Sequence, residues 1–374
     1  MTSRQFVIRF ALGYFLLLAL IGIFNRIVDP AWYYRDTEIK GFNAVKPTFL
    51  DFARDVKPVL LMRDQPEAII LGSSYAEIGF DPTNPSFNDH DRLKSMNFAF
   101  AKALWSEVQC DFEFAVTHSN IKRALVGFHP GNLPISNCEK DFATIGQLNT
   151  IDILLTYSAL WYSIETIKHQ QASSASHTRE GMFFYNRDRN PFPFFQEDLR
   201  TRISECQKDL NSSVSSTASS TANALDLSGL QRMIRTAQAH GVELVLFAYP
   251  KHAYLLELDK LCGGQDAQWQ TMRRIAEFID SESRGQVRAW QFYGYNDITA
   301  KPVSKRRGYW QDAKHFNFEV GNMMLEDMFD KARDRPALAR PLDSGYEDFL
   351  REREEYLQSH PEFGANMQTM YDIK

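Results

Sequence analysis

The stretch Ala68-Ile69-Ile70-Leu71-Gly72-Ser73-Ser74-Tyr75 runs from four apolar residues straight into a glycine and two serines. Four consecutive apolar residues without alternation read as a strand buried on both faces. Gly72 permits a sharp turn, and serine is a favoured residue at the start of a helix. The passage is therefore strand, turn, helix, the unit from which parallel sheets are built.

Outward from it the same rhythm repeats. Ala99–His118 has helical spacing, and Arg123–Phe128 is a second strand closed by His129-Pro130-Gly131-Asn132. Leu227–His240 reads as an amphipathic helix stopped by Gly241, and Val242–Tyr249 as a strand ended by Pro250. Trp269–Ser281 is helical, Val287–Tyr293 is a strand, and Glu319–Lys331 is a final helix. Strands alternating with helices predict a parallel sheet covered on both faces, a three-layer α/β domain over residues 67–334.

The segments outside this rhythm are of three kinds. At the N-terminus, Arg4 and Arg9 precede an apolar run from Phe10 to Phe24. From Phe6 the run approaches the roughly 20 residues needed to cross a bilayer, with Arg9 able to snorkel. The two arginines predict a cytoplasmic N-terminus, and no small-x-small cleavage site follows. Residues 1–30 are expected to be a membrane anchor, with Trp32, Tyr33 and Tyr34 at the far interface. Residues 31–66, punctuated by Pro47 and Pro58, read as a membrane-proximal stalk with a short helix over Phe49–Met62. Residues 133–225 interrupt the alternation as an insertion, helical over Ile151–Lys168, with arginines alternating with Phe and Pro over Arg187–Phe195. Its Ser212–Thr221 stretch is low-complexity and expected to be disordered. The whole insertion is expected to cap the strand ends as a lid. Residues 335–374 form a charged, aromatic C-terminal extension.

The chain has 374 residues and a formal net charge of -5 without a basic stripe, which argues against nucleic acid as a partner. The four cysteines, Cys110, Cys138, Cys206 and Cys262, form no CxxC pair, so neither a zinc site nor a thioredoxin-type site is expected. One or two disulfides and free thiols are both compatible with them. No HxH or HExxH pattern suggests a metal, and no G-x-G-x-x-G follows the first strand, so no cofactor is expected.

Ligands of open parallel sheets bind at the carboxyl ends of the strands. Ser74 stands at one such end, and Asp312-Ala313-Lys314-His315 precedes the last helix. A serine nucleophile needs a base to take its proton and donors for the oxyanion. Asp312 can hold one nitrogen of His315 and leave the other for Ser74. Each residue also has an ordinary reading: serine as a helix cap, Asp312 as another, His315 as a half-buried ring.

The pairing of a strand–Gly-x-Ser block with a late Asp-x-x-His block resembles the SGNH (GDSL-like) hydrolase superfamily. It is nearer to membrane-anchored bacterial members with Gly-Ser-Ser first blocks, some similar to polysaccharide O-acetylation factors and to the DltD family. Gly79-Phe80-Asp81-Pro82, Asn97 and Pro250-Lys251-His252-Ala253 also look like that group. The resemblance implies a flavodoxin-like parallel sheet and a catalytic set of Ser74, His315 and Asp312. Asn132 stands in for the third block as oxyanion donor, with Asn97 and His252 as further substrate-binding residues. Ser73 replaces the usual Asp, and the second-block glycine is missing. The implied activity is an extracytoplasmic serine esterase or O-acyltransferase on an acylated envelope glycan or exopolysaccharide. Its expected partners are that polymer, the membrane and a multi-pass acyl-exporting protein. The body would face the periplasm or lie outside the cell, anchored in a bacterial inner membrane. The incomplete blocks support an alternative, a catalytically inactive glycan-binding or scaffold component of an envelope polysaccharide assembly complex.

Overall fold

The computed structural model describes residues 2–138, 150–185, 190–215, 225–301, 303, 308–330 and 337–371. Its first helices are α1 (Ser3–Val28), α2 (Ala53–Asp64), α3 (Ser74–Gly79) and α4 (Trp105–His118). There follow α5 (Thr150–Leu154), α6 (Tyr157–Lys168), α7 (Phe192–Ser215) and α8 (Ser228–His240). The last are α9 (Ala253–Leu261), α10 (Gln265–Ser283), α11 (Phe318–Phe329), α12 (Tyr346–Ser359) and α13 (Pro361–Tyr371). The strands are β1 (Ala68–Leu71), β2 (Ser95–Asn97), β3 (Arg123–Phe128), β4 (Glu243–Ala248), β5 (Arg288–Gln291) and β6 (Arg340–Pro341). The chain divides into two compact units, Met1–Gln65 with Glu139–Phe184, and Pro66–Cys138 with Tyr185–Lys374. The stretch expected to be a stalk therefore folds together with the first part of the insertion.

In the first unit, α1 is long and apolar enough to cross a membrane, and its most apolar window is not buried by protein. The helix stops where Asp29 turns left-handed at φ 47°. Its last carbonyls lack intrahelical donors and find them in side chains. Asn43 Nδ2 donates to Ile27 O and Val28 O, and the buried Lys46 ammonium donates to Val28 O at 2.8 Å. Trp32, expected to lie open at the far interface, is buried in tilted contact with Phe49. The helix expected over Phe49–Met62 begins as a 3-10 turn, Phe49–Phe52, and continues as α2 to Asp64. Ile151–Lys168 is two helices, because the Thr156 hydroxyl accepts the Ala159 amide and caps a new start.

The second unit is an α/β domain around one six-stranded sheet of order β2-β1-β3-β4-β5-β6. Five strands are parallel. β6, from the C-terminal extension, is antiparallel to β5, so the sheet is mixed where a parallel one was expected. β3 and β4 pair over six residues in the centre, and Leu125, Val126, Val245 and Leu246 are fully buried. Side chains of this kind contribute about 1.5–3 kcal/mol each when buried. Helices α4, α8 and α10 pack against one another in a row, α4 on β1 and α8 on β4. α3 packs on α11, and the two backbones nearly touch: a Cβ at Gly321 would lie 1.7 Å from the Gly79 carbonyl oxygen.

Strand order reverses direction between β1 and β3. From β1 the chain moves outward to β2, whereas from β3 it moves the opposite way to β4 and β5. Right-handed crossovers then put α3 on the opposite face from α8 and α10. The carboxyl ends of β1 and β3, where the direction reverses, are therefore left uncovered by either connection. Two disulfides join all four cysteines within this unit. Cys110–Cys138 ties α4 to the segment after β3, and Cys206–Cys262 ties α7 to the end of α9. Most of the low-complexity stretch, residues 216–221, and Arg187–Arg189 lie outside the described residues, while 212–215 continue α7.

Candidate active site

Ser74 is the first residue of α3, directly after β1, and is partly exposed at the reversal point of the sheet. Gly72 turns the chain at φ 146°, a region L-residues rarely occupy. A Cβ there would lie 2.5 Å from the Tyr249 hydroxyl. That hydroxyl organises the turn: it accepts the Ser73 amide at 2.7 Å and donates to Gly127 O at 3.0 Å. One buried phenol thus ties the ends of β1 and β3 together, and burial pushes its pKa up to about 12. Sequence reading placed Tyr249 at a strand end but gave it no role.

The partner of Ser74 comes from a loop 241 residues further on. Ser74 Oγ and His315 Nε2 are 2.8 Å apart, and His315 Nδ1 is 2.7 Å from Asp312 Oδ2. With the Nδ1 proton donated to the carboxylate, Nε2 carries the lone pair and accepts the serine hydroxyl. Asp312 Oδ1 also accepts the backbone amides of His315 and Lys314, at 2.7 and 2.8 Å. Burial opposes charge on this carboxyl, but the bonds from His315 and Lys314 hold its pKa below the ordinary carboxylate range.

The loop is rigidly built. Trp310 and Phe316 form a β-bridge across it, and Gln311 N donates to His315 O at 2.7 Å. Ala313 and Phe316 are fully buried. From α7, Asp198 accepts the Ala313 amide at 3.2 Å and the Lys314 ammonium at 2.9 Å. Burial first, then the charge of Asp312, raises the Asp198 pKa. Nothing near Asp198 in the sequence marks it, because its partner loop is more than a hundred residues away.

Rings wall the site. Tyr75 stacks on Tyr249 with centroids 4.6 Å apart and lies 5.0 Å from the His315 ring. His129 meets both tyrosines edge-on, and Tyr185 lies 5.3 Å from His315.

Three other residues singled out in the sequence have different surroundings. Asn97 is fully buried and holds α3: its Nδ2 donates to Ala76 O and Phe80 O, and its Oδ1 accepts the Ala99 amide. Asn132 is exposed and accepts the Asp226 amide at 3.0 Å. His252 is fully buried; it accepts the Tyr254 amide as the cap of α9, and its Nε2–H donates to Lys301 O. Its own amide donates to Ala313 O, so His252 supports the loop carrying His315 from behind. The neighbouring Lys251 ammonium is paired with Asp259 at 2.6 Å. The hydroxyl of Ser73, where the resembled superfamily has Asp, is buried without a hydrogen-bond partner among the described residues.

Neither family models, nor curated proteins, nor solved structures give a match to this chain.

Proposed function

We propose that this protein is a membrane-anchored serine esterase or O-acyltransferase of SGNH-like type, acting outside the cytoplasm on an acylated envelope glycan. The observation that carries the reading is the chain of two short contacts, Ser74 Oγ to His315 Nε2 and His315 Nδ1 to Asp312 Oδ2. A hydroxyl, an imidazole and a buried carboxylate in this order form an acyl-transfer machine. Ser74 Oγ attacks the acyl carbonyl while its proton passes to His315 Nε2. The tetrahedral oxyanion is met by the Ser74 amide, one of the N–H groups that a helix start leaves without intrahelical partners. Collapse breaks the ester C–O bond, and His315 returns the proton to the leaving alkoxide. Water or a second sugar hydroxyl, deprotonated by His315, then takes the acyl group from Ser74.

The parallel order β2-β1-β3-β4-β5 is the flavodoxin-like one and supports the same reading. Two disulfides fit an oxidising compartment, and α1 fits a single-pass anchor in an inner membrane with the body in the periplasm. The tyrosines around Ser74 suit the apolar faces of sugar rings. A multi-pass acyl-exporting membrane protein is the natural donor for the transferase version.

A second reading is a catalytically inactive glycan-binding or scaffold component. It is favoured by Asn97, whose amide is consumed by α3, and by Asn132, which braces an exposed turn. Hydrolysis of p-nitrophenyl acetate by the full chain in detergent micelles separates the two. The esterase reading expects turnover that disappears in Ser74→Ala and in His315→Ala. A folded parent without turnover, toward water or toward an added sugar acceptor, selects the scaffold.

A further inference from the structure

We propose that α5 and α6 form a lipid-contacting surface in the headgroup region of the bilayer that α1 crosses. The inference rests on α1 being a membrane span, part of the reading above. α5 meets α1 at Gly22 and Asn25. Leu155, which follows α5, packs on Gly22, where a Cβ would lie 3.2 Å from its Cδ2. Asn25 Nδ2 donates to Leu154 O at 2.8 Å, and Asn25 is fully buried. The apolar run of α1 ends at Phe24, so this junction sits where the hydrocarbon must stop. Length agrees: 26 residues of helix span about 39 Å, about 9 Å more than the hydrocarbon core. The surplus falls at both ends, in Ser3–Gln5 ahead of Phe6 and in the residues after Phe24, where Asn25 meets α5.

The face of α6 that packs inward carries small side chains, Ala159, Ser163 and Thr166, all buried, and the helix contacts α1. The outward face carries Tyr157, 78% exposed, and Trp161, 48% exposed, one turn apart. Lys168 continues this face, its ammonium 5.6 Å from the Trp161 ring centroid and paired with Glu165. Tyrosine and tryptophan concentrate at membrane–water boundaries, where an apolar ring meets lipid and its polar group stays wet. Trp32, which the sequence offers for this position, is buried against Phe49, and the exposed rings come from α6 instead. Leu20, Ile23 and Ile27 of α1 are exposed beside this junction, so the apolar surface is continuous with the span.

Depth-resolved quenching of the full chain in phosphatidylcholine–phosphatidylglycerol vesicles tests this. Among the described residues every cysteine is in a disulfide, so Leu17→Cys, Ser158→Cys and Asp280→Cys can each carry a single fluorophore. Leu17 reports on the span, Ser158 on the outward face of α6, and Asp280 is an exposed reference on α10. The Leu17 label is expected to be quenched by a nitroxide deep in the acyl chain. The Ser158 label is expected to be quenched by a headgroup nitroxide at least about threefold more than the Asp280 label. Trp161→Ala with Tyr157→Ala should reduce that difference. A quenched Leu17 label beside a Ser158 label no different from Asp280 overturns the lipid surface and leaves the span standing. A dehydrated Ser158 label without lipid quenching shows a protein occupant and overturns it equally. An unquenched Leu17 label removes the span and the inference with it.

Discussion

The Tyr249 hydroxyl accepts the Ser73 amide at 2.7 Å, one residue before the candidate nucleophile, while donating to the carbonyl of Gly127. The turn bearing Ser74 is thus fastened to the neighbouring strand by a side chain from a third. Tyr249→Phe keeps the ring and strands a buried donor and a buried acceptor. Its cost is expected to be about 1–3 kcal/mol in denaturant unfolding. Turnover should fall as well, because Ser74 loses its fixed position. An unchanged unfolding midpoint would contradict the bridge.

Gly72→Ala meets the same hydroxyl from the other side. It adds a Cβ 2.5 Å from Tyr249 Oη and demands a φ of 146° from an L-residue. The variant should be more destabilised than Tyr249→Phe. Because Phe at 249 removes the clashing oxygen, the double variant should be less unstable than the two losses added, by on the order of 1 kcal/mol. Strict additivity in a double-mutant cycle would show that the two residues do not touch.

Asp312→Asn removes the charge and reverses which ring nitrogen of His315 is protonated. Turnover at neutral pH is expected to drop about a thousandfold or more with little change in KM. The stability consequence has a sign. The Asp312 carboxyl is held below its unfolded value, so it stabilises the fold above that value. The contribution is lost as pH falls through the folded value. The Asn variant should lack that acid-side loss; an identical acid profile in both proteins would count against the bonds to Asp312.

The titration of His252 is moved further to the acid side by its surroundings. Burial lowers its pKa from 6.5 to about 4, so the unfolded chain takes up the proton first. The stability this provides is complete above pH 6.5 and declines as pH falls toward 4, by roughly 3 kcal/mol in all. His252→Asn keeps an oxygen to cap α9 and should flatten this interval. Urea unfolding at pH 7.0 and at pH 4.5 measures the difference directly.

The Cys206–Cys262 disulfide bears on the site through α7. Asp198 on that helix holds Ala313 and Lys314, and Arg202 on the same helix pairs with Asp259 at 2.9 Å. Replacing both cysteines by serine should cost about 2–4 kcal/mol of stability. It should also lower turnover several-fold, as Asp198→Asn would alone. Full turnover in a destabilised Cys206→Ser, Cys262→Ser protein would uncouple α7 from the loop.

Much of the α/β domain could be read because its central strands are buried on both faces and so are written as apolar runs. Arg123–Phe128 coincides with β3, and Val242–Tyr249 overlaps β4 to within a residue at each end. β2 and β6 were illegible for the converse reason. They are three and two residues long at the sheet's margins, and a pair such as Arg340-Pro341 has no pattern to show. The two halves of the site were visible as Gly72-Ser73-Ser74 and Asp312-x-x-His315, since each is a local motif with a turn to make. Tyr249 and Asp198 were not, because their roles exist only across strands and through a helix set by tertiary packing. Asn97 and His252 are the converse case, polar residues that attract a chemical reading in the sequence and whose side chains bond backbone groups in the fold.

The end of α1 has a practical consequence. Asn25, Val28 and Ala31 are interior residues of the first unit. Severing the chain after Val28 would take away the docking ground of Leu154 and Leu155. It would also deprive Lys46, whose pKa burial already draws down to about 8, of the carbonyl it grips. The end of this helix is a foundation post, and a trimmed, water-soluble version of the protein would begin with its footing gone.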